Sequence, residues 1–220
     1  MPSARGPFVT YDSTLLDHVS VGAASAAAWT SIRIASVLFL TALTAAAAQV
    51  SVHIPFTPVP FTLQPMVVLV GAAALGPRLG AASQVLYLLL GVIGLPVFAA
   101  SPTLPQGAAR LLGPTGGYLM AYPLAAYVTG WLAARGFDRR YLTSIVAMLA
   151  GLVVIFAGGV VWLAYFTIAI AGQPGAVGPS AALATGLYPF IVADLLKVCF
   201  AGVVMPTVWR VVSTRSERGD

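Results

Sequence analysis

Long apolar runs alternate along this chain with short clusters of glycine, proline and arginine. Six such runs emerge, over about residues 29 to 52, 62 to 75, 81 to the breaker at 94 to 96, 116 to 134, 142 to 171 and 181 to 212. The runs are continuous rather than alternating, which predicts membrane helices and argues against a β-barrel. The second and third are shorter than the ~20 residues of a full span, and short helices are tolerated where they line a protein cavity. No internal repeat is visible. The expected fold is therefore all-α: a polytopic membrane protein with six transmembrane helices. A polar arm at 1 to 28 precedes a single domain at 29 to 212, and a polar tail follows at 213 to 220. The first 18 residues hold no apolar core of a cleavable signal.

Composition strengthens this reading. The 220 residues are 59% hydrophobic and 8% charged, with a mean hydropathy of +0.93, against roughly 25% charged residues in soluble domains. The net charge of +5 does not imply nucleic acid, because basic residues in membrane proteins mainly set orientation. If six helices start inside, Arg5, Arg33, Arg78, Arg135, Arg139, Arg140, Arg210, Arg215 and Arg218 all fall on the inner side. Arg110 falls outside, and Lys197 lies within a span. Trp29, Trp131 and Trp209 fall at inner ends, as an aromatic belt requires. Both termini are thus expected in the cytoplasm.

The candidate chemistry is sparse. Asp194 and Lys197 share one face of the sixth helix at i,i+3 spacing. Ionisable groups in mid-bilayer face a pocket or a partner, so the pair is either a structural staple or the floor of a site. Asp194 lies 16 residues before Arg210, or ~24 Å along a helix, in the outer half of the membrane. That depth favours an outward-facing pocket. Above it, "VHIPFTPVPFTLQP" carries prolines 55, 58, 60 and 65 and reads as a stiff lid. Residues 100 to 118 form a second long outer loop. Gln64 opens the second helix, while Ser83, Gln84 and Tyr87 are the polar residues of the third. Gly116 and Gly117 start the fourth, where a helix N-terminus favours an anion. In "TALTAAAA" two small-residue registers coexist, Thr41 with Ala45 and Ala42 with Ala46, either of which allows close helix packing. His18 and His53 are isolated and Cys199 is alone, so no metal site is expected. There is no P-loop for ATP hydrolysis. Nor does a Ser or His stand beside the ion pair to make an enzyme.

Four stretches, "IPFTPVPFTLQ" (54–64), "YLLLGVIGLPVFA" (87–99), "LLGPTGGYLMAYPLAAYVTGWLA" (111–133) and "YPFIVADLLK" (188–197), resemble the BioY family. These are the biotin-specific S-components of energy-coupling factor transporters. The resemblance runs from about residue 33 to 204, in order and spacing. It implies a six-helix subunit of the bacterial cell membrane that captures biotin from outside. Its implied partners are a T-component and two cytoplasmic ATPases, and biotin is a transported ligand rather than a cofactor. The small residues of helix one (Thr41, Ala42, Ala45, Ala46) would serve the T-component contact. Asp194 would accept the ureido N–H bonds of biotin and Lys197 would donate to the ureido oxygen, with Leu63, Tyr87 and Trp162 as apolar walls. The carboxylate would point outward, toward Gln64 and Arg110, with Gly116 a further candidate contact; the reverse pose, with Lys197 on the carboxylate, stays open. A solitary biotin transporter and an S-component for another vitamin are the alternatives. Where the family usually has Pro-Gly before its aspartate, this chain has Val192 and Ala193, which predicts a more continuous sixth helix.

The charge pattern generates a test of topology. After replacement of Cys199, single cysteines introduced as Arg78→Cys or Arg139→Cys should react with an impermeant thiol reagent only from the cytoplasmic side. Gln106→Cys should react only from outside. Labelling of position 78 from outside would overturn the six-helix count.

Overall fold

The computed structural model describes residues 14–19, 25–53, 55–101, 104–169 and 175–218. In chain order these form α1 (Leu15–Val19), α2 (Ala26–Gln49), β1 (Ser51–Val52), β2 (Phe61–Thr62), α3 (Gln64–Leu75), α4 (Pro77–Val92) and α5 (Ala109–Leu112). There follow α6 (Gly116–Ala134), a 3-10 turn (Phe137–Arg139), α7 (Tyr141–Tyr165), α8 (Pro179–Gly186) and α9 (Tyr188–Arg218). Among the described residues, α2, α3, α4, α6, α7 and α9 are the helices of twelve residues or more, one for each predicted apolar run. Among the described residues, three segments are long and apolar enough to cross a membrane: α2, α7 and the Tyr188–Val212 part of α9. The fold is all-α.

Boundaries follow local chemistry. Pro65 sits in the first turn of α3, and Gly76 ends the helix at φ 81°, a conformation that favours glycine, with Pro77 starting α4 immediately. The predicted sixth run from 181 to 212 is not one helix: it breaks at Leu187 into α8 and α9. Two features cause the break. The Tyr118 hydroxyl donates to the Gly186 carbonyl at 2.7 Å, taking that oxygen out of the helical ladder, and Pro189 has no N–H with which to bond back. Beyond the break, α9 runs without interruption through Val192 and Ala193, as their replacement of Pro-Gly predicts. The predicted first run turns into strand at β1, and the fifth ends as helix at Tyr165.

Helix α6 is the central element, packed mainly on α7, α4 and α3. In lipid, no hydrophobic effect drives helices together, so close backbone approach has to come from small residues. Gly117 lies directly under the Trp162 side chain and the Gly158 carbonyl, and Gly151 of α7 fits against Thr129 and Leu69. A Cβ at either position would collide with these neighbours. The buried core around Val68, Leu69, Tyr87, Tyr122, Ile155 and Val198 lies between these helices.

A polar seam joins α2 to α4. Thr41 donates to the Ser83 carbonyl at 3.0 Å or to Val37 of its own helix at 2.8 Å. Gln84 donates to the Thr44 hydroxyl at 3.2 Å. This seam turns Thr41 inward and packs Ala45 against the core, leaving Ala42 and Ala46 exposed on the opposite face. The two small-residue registers therefore differ: one is internal, the other available.

At the other end of the bundle, Trp131 and Trp209 lie under guanidinium groups, Arg135 at 3.5 Å and Arg139 at 4.1 Å from the ring centroids. The indole N–H of Trp209 donates to buried Asp138 at 2.5 Å, tying α9 to the turn between α6 and α7. Burial pushes the Asp138 carboxyl above its ordinary pKa, against the opposing effects of the Trp209 bond and Arg139. Because the folded pKa is raised, the stability associated with this group is present below the unfolded value and is lost as pH rises through the folded one. Asp138→Asn, which keeps an acceptor for Trp209, should hold or raise stability at neutral pH and flatten its pH dependence. Asp138→Ala, which strands the indole donor, should cost ~1–3 kcal/mol. Thermal unfolding in detergent across the acid range reads both.

Candidate functional site

Asp194 and Lys197 project from the same face of α9, and their side chains are 7% and 12% exposed. The ammonium is 2.7 Å from the Asp194 carboxylate. It also donates to the Thr62 carbonyl at 2.7 Å and lies 3.5 Å from the centre of the Phe61 ring. Both lid residues belong to β2, which pairs antiparallel with β1 in the register Ser51 with Thr62 and Val52 with Phe61. The proline-rich segment is thus a short hairpin. It is fastened further by stacking of Phe61 on Phe190 (6.2 Å, 11°) and by the Thr57 hydroxyl, which donates to the Thr185 carbonyl at 2.6 Å.

Beneath the hairpin lie two adjoining cavities. One, of about 50 Å³, is lined by Asp194, Lys197, Phe190, Ile155, Tyr118 and Tyr122. The other, of about 40 Å³, is lined by Gln64, Arg110, Thr115, Phe98, Tyr118 and Tyr122. Val59, Pro60 and Thr62 of the lid roof both. The ion pair therefore stands at one end of a tyrosine-walled space, and Gln64 with Arg110 at the other.

Arg110 is 1% exposed. Its guanidinium donates to the carbonyls of Pro105 (2.8 Å), Ala99 (2.8 Å) and Leu104 (3.3 Å) and meets no carboxylate among the described residues. Burial lowers its pKa, and nearby Tyr87 acts in the opposite direction. A buried cation held only by carbonyl dipoles favours an anion. The Thr115 hydroxyl, also buried and without a hydrogen-bond partner, lines the same cavity.

The remaining candidates stand behind these walls. Gln64 donates to the Tyr87 hydroxyl at 2.8 Å, and Tyr87 donates onward to Val97 at 3.2 Å, so Tyr87 orients Gln64 rather than lining the cavity. The Trp162 indole donates to the Gly113 carbonyl at 3.1 Å and stacks on Phe166, bracing the outer loop. Gly116 packs on the backbone of Leu111, and Leu63 caps α3. Neither Trp162, Gly116 nor Leu63 lines either cavity. Sequence reasoning missed Thr115, Tyr118, Tyr122 and Phe190. Their one signal was the i,i+4 spacing of the two tyrosines within an apolar run. Among the described residues, no three His, Cys, Asp or Glu side chains converge as a metal site would require. A larger groove of about 390 Å³ along α7, α8 and α9 is wholly apolar, with Leu152, Val153, Phe156, Leu187 and Ile191 in its walls. It offers no group that could orient a polar ligand.

Comparison with known proteins places the chain in a family. The model of the BioY family matches residues 21–214. A probable biotin transporter of Pyrococcus horikoshii is 42% identical over 168 residues, covering 76% of this chain and 90% of that protein. A biotin transporter of Thermotoga maritima is 38% identical over 164 residues, covering 74% and 88%. A solved structure described as the S-component for biotin from an ECF-type ABC transporter superposes with a TM-score of 0.71 at 26% identity. That alignment covers 85% of this chain and 95% of the other.

Proposed function

The chain belongs to the BioY family, and from that premise we propose that it is a substrate-binding subunit for biotin uptake, not an enzyme. It captures biotin outside a bacterial cell and delivers it across the membrane with a T-component and two cytoplasmic ATPases. In this reading the chain spans the cell membrane six times with both termini in the cytoplasm. The observation that carries the proposal is the polarity of the site. A charged pair and a buried arginine occupy opposite ends of one aromatic space. Biotin has the matching order: a ureido ring with adjacent donors and acceptor, an apolar body, and a carboxylate.

Asp194 accepts from the ureido N–H groups and Lys197 donates to the ureido oxygen, so the ligand enters an ion pair that is already neutral. Tyr118, Tyr122 and Phe190 hold the ring, and the carboxylate reaches Arg110, Gln64 and Thr115. That Arg110 meets no carboxylate among the described residues favours this pose over the reverse one. Cavities of about 50 and 40 Å³ are far below the roughly 300–1,000 Å³ of ligand pockets. Binding therefore requires the hairpin to lift, and Lys197 exchanges the Thr62 carbonyl for the ligand.

Calorimetric titration of the detergent-purified protein tests the site. Asp194→Asn and Lys197→Ala should each weaken biotin binding by about tenfold or more, since each leaves a buried partner unpaired. Arg110→Gln should weaken biotin but hardly affect biotinamide, which carries no carboxylate. Normal biotin binding by folded Asp194 and Lys197 variants would make the pair a structural staple.

Coupling has a separate test. The exposed Ala42 and Ala46 suit close packing against the T-component, whereas Thr41 is occupied by α4. Ala42→Trp or Ala46→Trp should leave biotin affinity intact while reducing T-component co-purification and ATP-dependent uptake into proteoliposomes. Full uptake by the isolated chain would instead favour a solitary transporter.

A further inference from the structure

Arg33 is the eighth residue of α2, about 10 Å along the axis from Ala26. Its side chain is exposed on a helix long and apolar enough to cross a membrane. An arginine facing hydrocarbon is unfavourable unless its guanidinium reaches the headgroup level or finds a counter-ion. Among the described residues Arg33 itself forms no ion pair.

Arg33 also borders a groove of about 360 Å³ between α2 and α4. Thr30 and Arg33 lie at the Ala26 end, and Ile34, Leu38, Leu79 and Leu86 line much of the rest. The seam joins Thr41 to Ser83 and Thr44 to Gln84, so α2 and α4 run in the same direction and the groove follows α2. Its polarity is therefore ordered along the helix, with the cation toward the Ala26 end and aliphatic side chains beyond it. Ile34 and Leu38 are 56% and 54% exposed, so the chain itself does not cover them.

We propose that this groove is a binding site for an anionic phospholipid, with the phosphate on Arg33 and one acyl chain along Ile34, Leu38, Leu79 and Leu86. The planar guanidinium fits a phosphate oxygen pair. The Thr30 hydroxyl, which donates to the Ala26 carbonyl at 3.0 Å, is left as an acceptor. It suits a headgroup bearing hydroxyls, such as glycerol. A zwitterionic lipid brings its own ammonium and gains less from Arg33. The inference goes beyond the transport reading and requires of it only that α2 lies in the bilayer.

Native mass spectrometry of the detergent-purified chain, exposed to equal amounts of phosphatidylglycerol and phosphatidylcholine, tests the site. The wild type should retain one phosphatidylglycerol in preference to phosphatidylcholine by about fivefold, the typical contribution of one basic side chain at an anionic surface. Arg33→Gln should abolish that preference and Arg33→Lys should keep most of it. Leu79→Trp, which fills the groove, should lose the retained lipid although Arg33 remains. The proposal is overturned if the wild type shows no preference or if Arg33→Gln keeps it. It is equally overturned if Arg33→Gln leaves lipid retention unchanged but loses the T-component, which would make the groove a protein contact.

Discussion

An ammonium group inside an apolar helix has to be satisfied by the protein, because hydrocarbon offers nothing. Lys197 meets this constraint with three partners from two elements: the Asp194 carboxylate on its own helix, and the Thr62 carbonyl and Phe61 ring of the lid. One side chain thus neutralises the carboxylate and holds the hairpin down. The same three contacts explain why the lid is short and stiff. A floppy connector would lose conformational entropy on docking, whereas prolines at 58 and 60 have already limited that freedom.

The rest of the bundle serves to hold the opposite wall of this space in place. Tyr118 and Tyr122 belong to α6, whose position depends on glycine contacts with α7 and on close packing with α3 and α4. Tyr118 does double duty, lining both cavities and bonding to Gly186 where α8 ends. Site geometry and helix packing therefore share residues, and a change in one propagates to the other.

The apolar runs and the ion pair were legible in the sequence because each is improbable by chance: a charge within a 20-residue apolar stretch stands out. The walls were not, since a tyrosine or threonine in such a stretch looks like any other. Trp162 reads as a pocket wall by its size, yet its indole turns to Gly113, lying across the bare backbone of Gly117. The small-residue registers of α2 could not be separated by spacing alone. What separates them is that Ser83 and Gln84 of α4 engage Thr41 and Thr44, a long-range fact. The break at Leu187 was hidden for a related reason: hydropathy stays high across it, and its cause lies partly in Tyr118, 68 residues away in sequence.

That break also has a mechanical meaning. The hairpin is fastened on both sides of it, through Thr57 to the Thr185 carbonyl of α8 and through Thr62 to Lys197 of α9. It acts as a staple across a joint, so α8 and α9 cannot bend relative to each other without straining one fastening. Conversely, a ligand that takes Lys197 from Thr62 leaves the hairpin fastened at Thr57 on the α8 side and by the Phe61–Phe190 stack on the α9 side. One fastening then persists on each side of the joint, so loss of the Lys197 bond alone does not detach the lid.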